Sequence, residues 1–317
     1  MFHPLTAALA LASPAGTRGR LTILIYHRVL AAPDALLPDT PDRAAFDWQM
    51  ALVKRHFQVL PLAEAGRLLQ EGRLPARAAC ITFDDGYADN LTEAWPILNR
   101  HGLPATFFVA TGFLDGGRMF NDTLIELVRR MPEGDCDLTD VGVGVVVLNG
   151  AESRIGLIHK LIGQFKYQQM TQRQESAEAL ASRFGVTLPD DLMMTTDELR
   201  KLADSAGVEV GGHTRNHPIL TRLEDDAARE EILAGKHDLE ARLERPVRLF
   251  AYPNGRPGKD YDARHAAMAR ECGFELAVST APAAARVGAD PFQLPRFTPW
   301  DRTPGRFGLR LLRTLMT

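Results

Sequence analysis

The sequence predicts a parallel α/β fold, and three observations carry that reading. Apolar runs rich in β-branched residues alternate with segments of helical spacing. The residues suited to chemistry stand where those runs end, which is where parallel α/β folds bind ligands. A length of 317 residues accommodates one α/β barrel.

Leu21–Tyr26 (LTILIY) reads as a buried strand that stops at His27. Phe46–Phe57 has helical spacing, Ala79–Phe83 is the next strand, and Ala88–Arg100 is a helix closed by Gly102. Ala105–Ala110 completes a β-α-β-α-β order, which implies parallel strands with helical crossovers. From about 114 to 194 the rhythm breaks. Thr123–Arg130, Ile155–Tyr167 and Arg173–Phe184 have helical spacing, and Val141–Leu148 reads as a strand weakened by glycine. This stretch is expected to be a mostly helical insertion acting as a lid on the site, because long insertions concentrate in functional loops.

The alternation resumes at Thr195-x-x-Glu198, a capping box that opens the helix Leu199–Ala206. A strand at Val208–Val210 leads to the histidines, and Asp226–Leu243 is a long helix. Leu249–Tyr252 and Leu276–Ser279 are strands flanking the helix Tyr261–Cys272, and Leu294–Phe297 is expected to be the last strand. There is no internal repeat and no low-complexity linker, so one domain over residues 1–317 is the simplest account.

A net charge of −3 gives no argument for nucleic acid as a partner. Cys80, Cys136 and Cys272 are odd in number and widely spaced, which excludes a disulfide framework and a zinc finger. The apolar stretch Leu5–Ala12 lacks a preceding basic residue, so a packed N-terminal helix and a cytoplasmic location are expected, with a cleaved signal peptide as the alternative. Arg306–Met316 is apolar with interspersed arginines. A tail docked on the barrel is expected, contact with an anionic membrane being the alternative.

The chemistry sits in two strings. Ile81-Thr82-Phe83-Asp84-Asp85-Gly86 ends a strand in two carboxylates, and His213-Thr214-Arg215-Asn216-His217 places two imidazoles four residues apart. Adjacent strand residues point to opposite faces, so Asp84 and Asp85 share a site only where the strand dissolves into a turn, which Gly86 permits. Pro218 disfavours α conformation at His217, so the histidines are expected on a loop. One Asp and two His form the ligand set of a divalent metal that keeps positions open for water and substrate; the other Asp is then free to act as a base. Read singly, a plain Asp-Asp-Gly turn and a pair of surface histidines are the bland explanations, and only their combination favours a metal site. His101, His237 and His265 are expected on solvated helix faces or ends.

These strings, with Ala105–Phe113 (ATFFVATGF) and Phe250-Ala251-Tyr252-Pro253-Asn254-Gly255, resemble the polysaccharide deacetylases of the NodB-homology, carbohydrate-esterase family four type. The opening Ile23–Val29 also looks like the branch that carries FAYPYG-like strings. The resemblance covers residues 21–297 outside the insertion, with four strings in the expected order.

It implies a distorted (β/α)7-type barrel and metal-dependent removal of acetyl groups from an N-acetylated amino sugar, in an exopolysaccharide or its precursor. By match to its motifs, Asp84 is the general base, and Asp85, His213 and His217 hold the metal, zinc being expected. The Asn254 backbone N–H falls at the oxyanion donor. Thr214 and Asn216 would shape the histidine loop. The arginine usual in the third motif is absent at Ala251, so nothing at that position holds the base. Leu294-Pro295-Arg296 stands for the usual Leu-x-His, and an arginine cannot serve as proton donor. His27, at the end of the first strand, is the candidate acid; a rim histidine bonded to backbone groups is the bland alternative. Two further readings compete: a carbohydrate-binding barrel that has lost turnover, and a glycosidase. Adjacent aspartates cannot easily flank a glycosidic bond at the roughly 5–9 Å those reactions use, and that reading leaves the histidines unexplained.

Overall fold

A computed structural model describes residues 4–316. Helix α1 (Pro4–Ala12) precedes β1 (Arg20–Tyr26), α2 (Arg43–His56), β2 (Gln58–Val59), α3 (Leu62–Gln70) and β3 (Ala78–Phe83). A π-helical turn at Asn90–Ala94 runs into α4 (Trp95–His101), and β4 (Ala105–Val109) follows. The inserted stretch holds α5 (Phe120–Arg130), β5 (Gly134–Leu138), β6 (Gly144–Leu148), α6 (Ala151–Phe165) and α7 (Met170–Arg183). The chain then forms α8 (Thr196–Ala203), β7 (Val208–Gly212), α9 (Asp225–Leu243), β8 (Leu249–Ala251), α10 (Ala263–Glu271), β9 (Leu276–Val278), β10 (Ala285–Arg286) and α11 (Pro304–Met316).

Strands β1, β3, β4, β7, β8 and β9 lie side by side and all parallel, with β10 antiparallel on the outer edge of β1 and β2 beside β3. The predicted last strand does not form as such. Pro295 has no N–H to give, and only isolated bridges appear, Leu294 to Val278 and Phe297 to Leu24. Those bridges nevertheless place the segment between β9 and β1, with Leu294 N–H donating to Ala277 O (3.0 Å) and Phe297 N–H to Ile23 O (2.7 Å). The curl of the sheet thus meets itself at a seventh position.

Side chains alternate across this wall. Ala79, Ile81 and Phe83 of β3 pack under the surrounding helices with Tyr26, Phe46 and Phe107. Ala78 and Cys80 face the other way, into a cluster with Phe108, Leu249, Leu276 and Leu294 that Leu62, Ala65 and Leu69 of α3 complete. Burying each such aliphatic or aromatic side chain contributes about 1.5–3 kcal/mol. A strand as short and apolar as β3 is therefore held rigidly up to its last residue.

The insertion has a core of its own. Leu124, Leu127 and Val128 of α5 pack on Leu157, Leu161 and Phe165 of α6 and on Ala177 and Leu180 of α7. Strand β5 was not evident from the sequence, because Gly-Asp-Cys-Asp-Leu has too few apolar residues; it forms by pairing antiparallel with β6, burying only Cys136 and Leu138. Helix α11 docks through Phe307, Gly308, Leu311 and Leu315, with α1 against it. None of the described helices is long and apolar enough to cross a membrane. His265 corrects the expectation of a solvated histidine: it is fully buried, and its Nδ1 accepts the Asp262 N–H in the cap of α10.

Candidate metal centre and its cleft

Each chemistry-bearing residue follows a parallel strand at the same rim. β1 delivers His27, β3 delivers Asp84 and Asp85, β7 delivers His213, and β8 delivers Asn254. All of them, with His217, line one cleft of about 770 Å³. The turn that brings both aspartates to one site is visible in the backbone: Asp85 has φ +81° and Gly86 φ +92°. Thr214 (+64°), His217 (+51°) and Asn254 (+58°) are left-handed too, so four of the seven non-glycine residues with positive φ among the described residues are at this site. Such conformations cost energy and persist only where the surroundings over-determine them.

The histidine loop shows what does the determining. Thr214 Oγ1 donates to His213 O (2.5 Å) and accepts the His217 N–H (3.1 Å), closing the turn between the two imidazoles. One face of α9 grips the loop from outside. Glu231 accepts from the Asn216 N–H (2.8 Å) and Nδ2 (2.7 Å), and Asp238 accepts two bonds from Arg215 (2.8 Å each). Between them Gly235 lies so close to Thr214 that a Cβ would come within 2.5 Å of its carbonyl carbon.

Asp85, His213 and His217 each present one ligand atom, all within 4.8 Å of one another. Asp85 Oδ1 lies 3.4 Å from His213 Nε2 and 3.5 Å from His217 Nε2. The His213 Nδ1–H donates to Ala251 O (2.7 Å), which fixes the tautomer and leaves Nε2 with a lone pair toward the cluster. Asp85 Oδ1 is buried without a hydrogen-bond partner. A buried carboxylate oxygen left unpaired opposite two imidazole nitrogens suits a cation, so the residues fit a divalent metal.

Burial by itself would push the Asp85 carboxyl up; the neighbouring imidazoles of His213, His217 and His27 outweigh it and hold Asp85 well below the usual carboxylate range. Burial likewise drives His217 down to about 3, against the pull of Asp85, so its imidazole is neutral and able to ligate. For His213 the two carboxylates overcome burial and raise the pKa.

Asp84 is placed differently. Arg296 Nη1 and Nη2 donate to its Oδ1 and Oδ2, both at 2.7 Å, while Nε donates to Ser279 O (2.8 Å) and Nη1 also to Thr82 Oγ1 (3.2 Å). Burial would raise Asp84, but Arg296 and His213 override it and keep the carboxylate ionised. Nothing at the Ala251 position holds this aspartate, as expected, but an arginine does so from elsewhere: the guanidinium comes from the closing segment after β9 rather than from the stretch before Tyr252. In the sequence Arg296 stood out as the residue replacing the histidine of the usual Leu-x-His, not as a partner of Asp84.

His27 is exposed at the cleft, and its imidazole has no protein hydrogen-bond partner among the described residues. Its backbone oxygen accepts from Asn90 Nδ2 (2.8 Å), which anchors the residue while leaving the ring free. The Asn254 N–H donates to no group among the described residues, although its carbonyl accepts from Thr280 Oγ1 (2.8 Å). Tyr87 and Asp122 escaped the sequence reading: the Tyr87 hydroxyl donates to both Asp122 oxygens (3.0 and 3.2 Å) at the edge of the cleft. An Asn-Asp pair opening a helix carries no signal that could have revealed this.

A curled α/β barrel with a carboxylate–imidazole cluster at the carboxyl ends of its strands is the class this geometry defines. A family model described as polysaccharide deacetylase matches residues 71–154 and 156–277, and the chain belongs to that family. The Bacillus subtilis (strain 168) protein YxkH, named as a polysaccharide deacetylase, is 34% identical over 91 residues, covering 28% of this chain and 32% of that protein. The match thus spans about a third of the curated relative's length. Among solved structures, Streptococcus pyogenes deacetylase PplD in complex with acetate aligns with TM-score 0.60 and 20% identity over 93% of this chain and 98% of its own. IcaB from Ammonifex degensii gives TM-score 0.60 and 18% identity over 96% and 99%. A de-N-acetylase from Aggregatibacter actinomycetemcomitans gives 0.58 and 14% over 92% and 99%. At these identities the likeness shows the fold, that of the NodB-type deacetylases.

Proposed function

We propose that this chain is a metal-dependent deacetylase that hydrolyses the N-acetyl group of an amino sugar belonging to an exopolysaccharide or its precursor. The observation that carries the reading is the division of labour between adjacent aspartates. Asp85 leaves a buried oxygen unpaired opposite two histidine nitrogens, while Asp84 is locked by Arg296. A cation bound by Asp85, His213 and His217 would polarise the acetamide carbonyl and acidify water, as zinc does in hydrolases.

The residues of the chain divide the remaining tasks. Asp84, kept ionised by Arg296, takes the proton of the attacking water as its oxygen bonds to the acetyl carbon. The unpartnered Asn254 N–H receives the developing negative charge on the carbonyl oxygen. His27, with its ring free at the rim, gives a proton to the sugar nitrogen as the C–N bond breaks. Acetate and a free amino sugar leave. The strings Phe250–Gly255 and Ile23–Val29 support membership of the FAYPYG-type branch. The Arg296 contact weighs against a binding barrel without turnover, since a guanidinium holds the base although the third motif lacks its arginine.

The test pairs metal content with acetate release in wild type, His213→Ala and Asp84→Asn, after zinc loading and desalting. About one metal per chain, lost in His213→Ala but kept in Asp84→Asn, with acetate release abolished in both, is the expected result. Metal and sugar binding by wild type without acetate from any N-acetylated sugar would establish the binding barrel instead.

A further inference from the structure

The α6–α7 turn of the insertion brings two cations to the cleft with no acid to meet them. Arg173, in the first turn of α7, is only 7% exposed and lines the cleft, yet it makes no ion pair among the described residues. Its Nη2 reaches the His217 carbonyl at a long 3.4 Å, and its guanidinium lies over the Phe120 ring at 4.5 Å. The nearby Glu231 is already occupied by Asn216. Lys166, just after α6, lines the same cleft half-buried and also makes no ion pair among the described residues.

For folding alone this arrangement is costly. A buried guanidinium normally finds a carboxylate, and a cation in the first turn of a helix opposes the helix dipole. The carboxylates that line the cleft deeper in do not offset it. Asp84 is taken by Arg296, Asp85 faces the histidines, and Asp122 sits on the Tyr87 hydroxyl.

We infer that Arg173 and Lys166 form an anion subsite, so that the cleft selects an N-acetylated amino sugar bearing a negatively charged group, a phosphate ester or a carboxylate. This rests on the deacetylase reading for the acetyl end of the substrate and adds the chemistry of the other end. The planar fork of Arg173 suits the oxygens of either anion, and Lys166 adds a second point charge. The apolar lining, Ile125, Ile162 and Phe120, strengthens the attraction by excluding water.

The experiment compares N-acetylglucosamine, its 1-phosphate and N-acetylglucosaminuronic acid as substrates of the zinc-loaded full chain, in wild type, Arg173→Gln and Lys166→Gln. Calorimetric binding of the same compounds runs alongside. The expected result is a kcat/KM for one charged sugar at least tenfold above the neutral one. That preference falls about tenfold to a hundredfold in Arg173→Gln, in line with losing a charge-assisted bond, and fades with added salt. Whether the phosphate or the uronate shows the effect identifies the source of the charge. Should Arg173→Gln fold poorly, Lys166→Gln carries the same comparison from a half-exposed position. Charged sugars that bind in an Arg173-dependent way but release no acetate would uphold the subsite and sink the deacetylase reading. Equal handling of charged and neutral sugars, unchanged in both variants, would overturn the subsite whatever the turnover.

Discussion

Arg296 and Asp84 meet in a two-point ion pair, Nη1 to Oδ1 and Nη2 to Oδ2 at 2.7 Å each, across 212 residues of sequence. Both side chains are almost wholly buried, and Arg296 is tied in turn to Ser279 O and Thr82 Oγ1. The pair fixes the direction of the carboxylate and also its charge state, because burial without the guanidinium would favour the protonated acid.

Arg296→Met should therefore cost stability and change the pH profile. Leaving the buried Asp84 unpaired costs about 3–5 kcal/mol. A folded-state pKa held below the unfolded value contributes stability above the unfolded pKa and loses it as pH falls through the folded one. Wild type should thus carry this contribution at neutral pH and lose it only in acid, whereas the variant lacks it throughout. As the Asp84 pKa rises in the variant, the acid limb of kcat/KM moves to higher pH. Denaturant unfolding and a pH–rate profile check both; an unmoved acid limb would remove Asp84 from the role of base.

His27→Gln separates an acid from a bystander. The ring lines the cleft and leans on no protein group, so its loss should leave metal content and melting temperature unchanged. Loss of general-acid catalysis lowers kcat by about 10²–10⁴-fold on an amide, whose amine leaves poorly unless protonated. An aryl acetate ester, whose leaving group needs no proton, should be hydrolysed almost as fast as by wild type. Equal losses on amide and ester would assign the ring to binding rather than to proton transfer.

The parts of the site legible in the sequence are those where residue type and backbone punctuation coincide. An apolar run ending in Asp84-Asp85-Gly86, and two glycines leading into His213, announce both the strand and what it delivers. Arg296 was illegible as a partner because its position depends on closure of the curl, through bridges that put residues 294–297 between β9 and β1. A Leu-Pro-Arg string has no local feature that reports such closure. Arg173 was illegible for the opposite reason: a basic residue on an amphipathic helix looks solvated until the fold buries it against Phe120. Strand β5 depends on its partner β6 for its existence, which no periodicity in Gly134–Leu138 can show.

Asp122 should leave a signature in stability. Burial pushes its carboxyl up to about 7, with Arg28 opposing, and the Tyr87 hydroxyl is its hydrogen-bond donor. An acid whose pKa rises on folding binds its proton more tightly in the native state. Its contribution is complete below about pH 4, the unfolded pKa, and is lost as pH rises through about 7. Wild type should lose up to about 4 kcal/mol by this route between those limits, and Asp122→Asn, which is always neutral, should not. Melting curves of both chains from pH 4.5 to 8, expected to diverge toward higher pH, are the check; parallel curves would mean that Asp122 stays ionised in the fold.

Gly235 offers a test in which two effects have opposite signs. Alanine in the middle of α9 should stabilise an unconstrained helix by about 1 kcal/mol relative to glycine. Here its Cβ would sit 2.5 Å from Thr214 C and 2.6 Å from Thr214 O, both backbone atoms of the loop between the histidines. Neither can yield without moving α9 or the turn that Thr214 Oγ1 closes. Overpacking of this kind costs about 1–3 kcal/mol, so Gly235→Ala should be net destabilising. Because the displaced atoms join His213 to His217, zinc affinity should weaken by about tenfold or more even where the chain remains folded. Thermal unfolding and zinc competition against a chelator read the two consequences separately. A variant that melts higher and binds zinc as tightly as wild type would show that helix propensity wins and that α9 does not set the spacing of the two imidazoles.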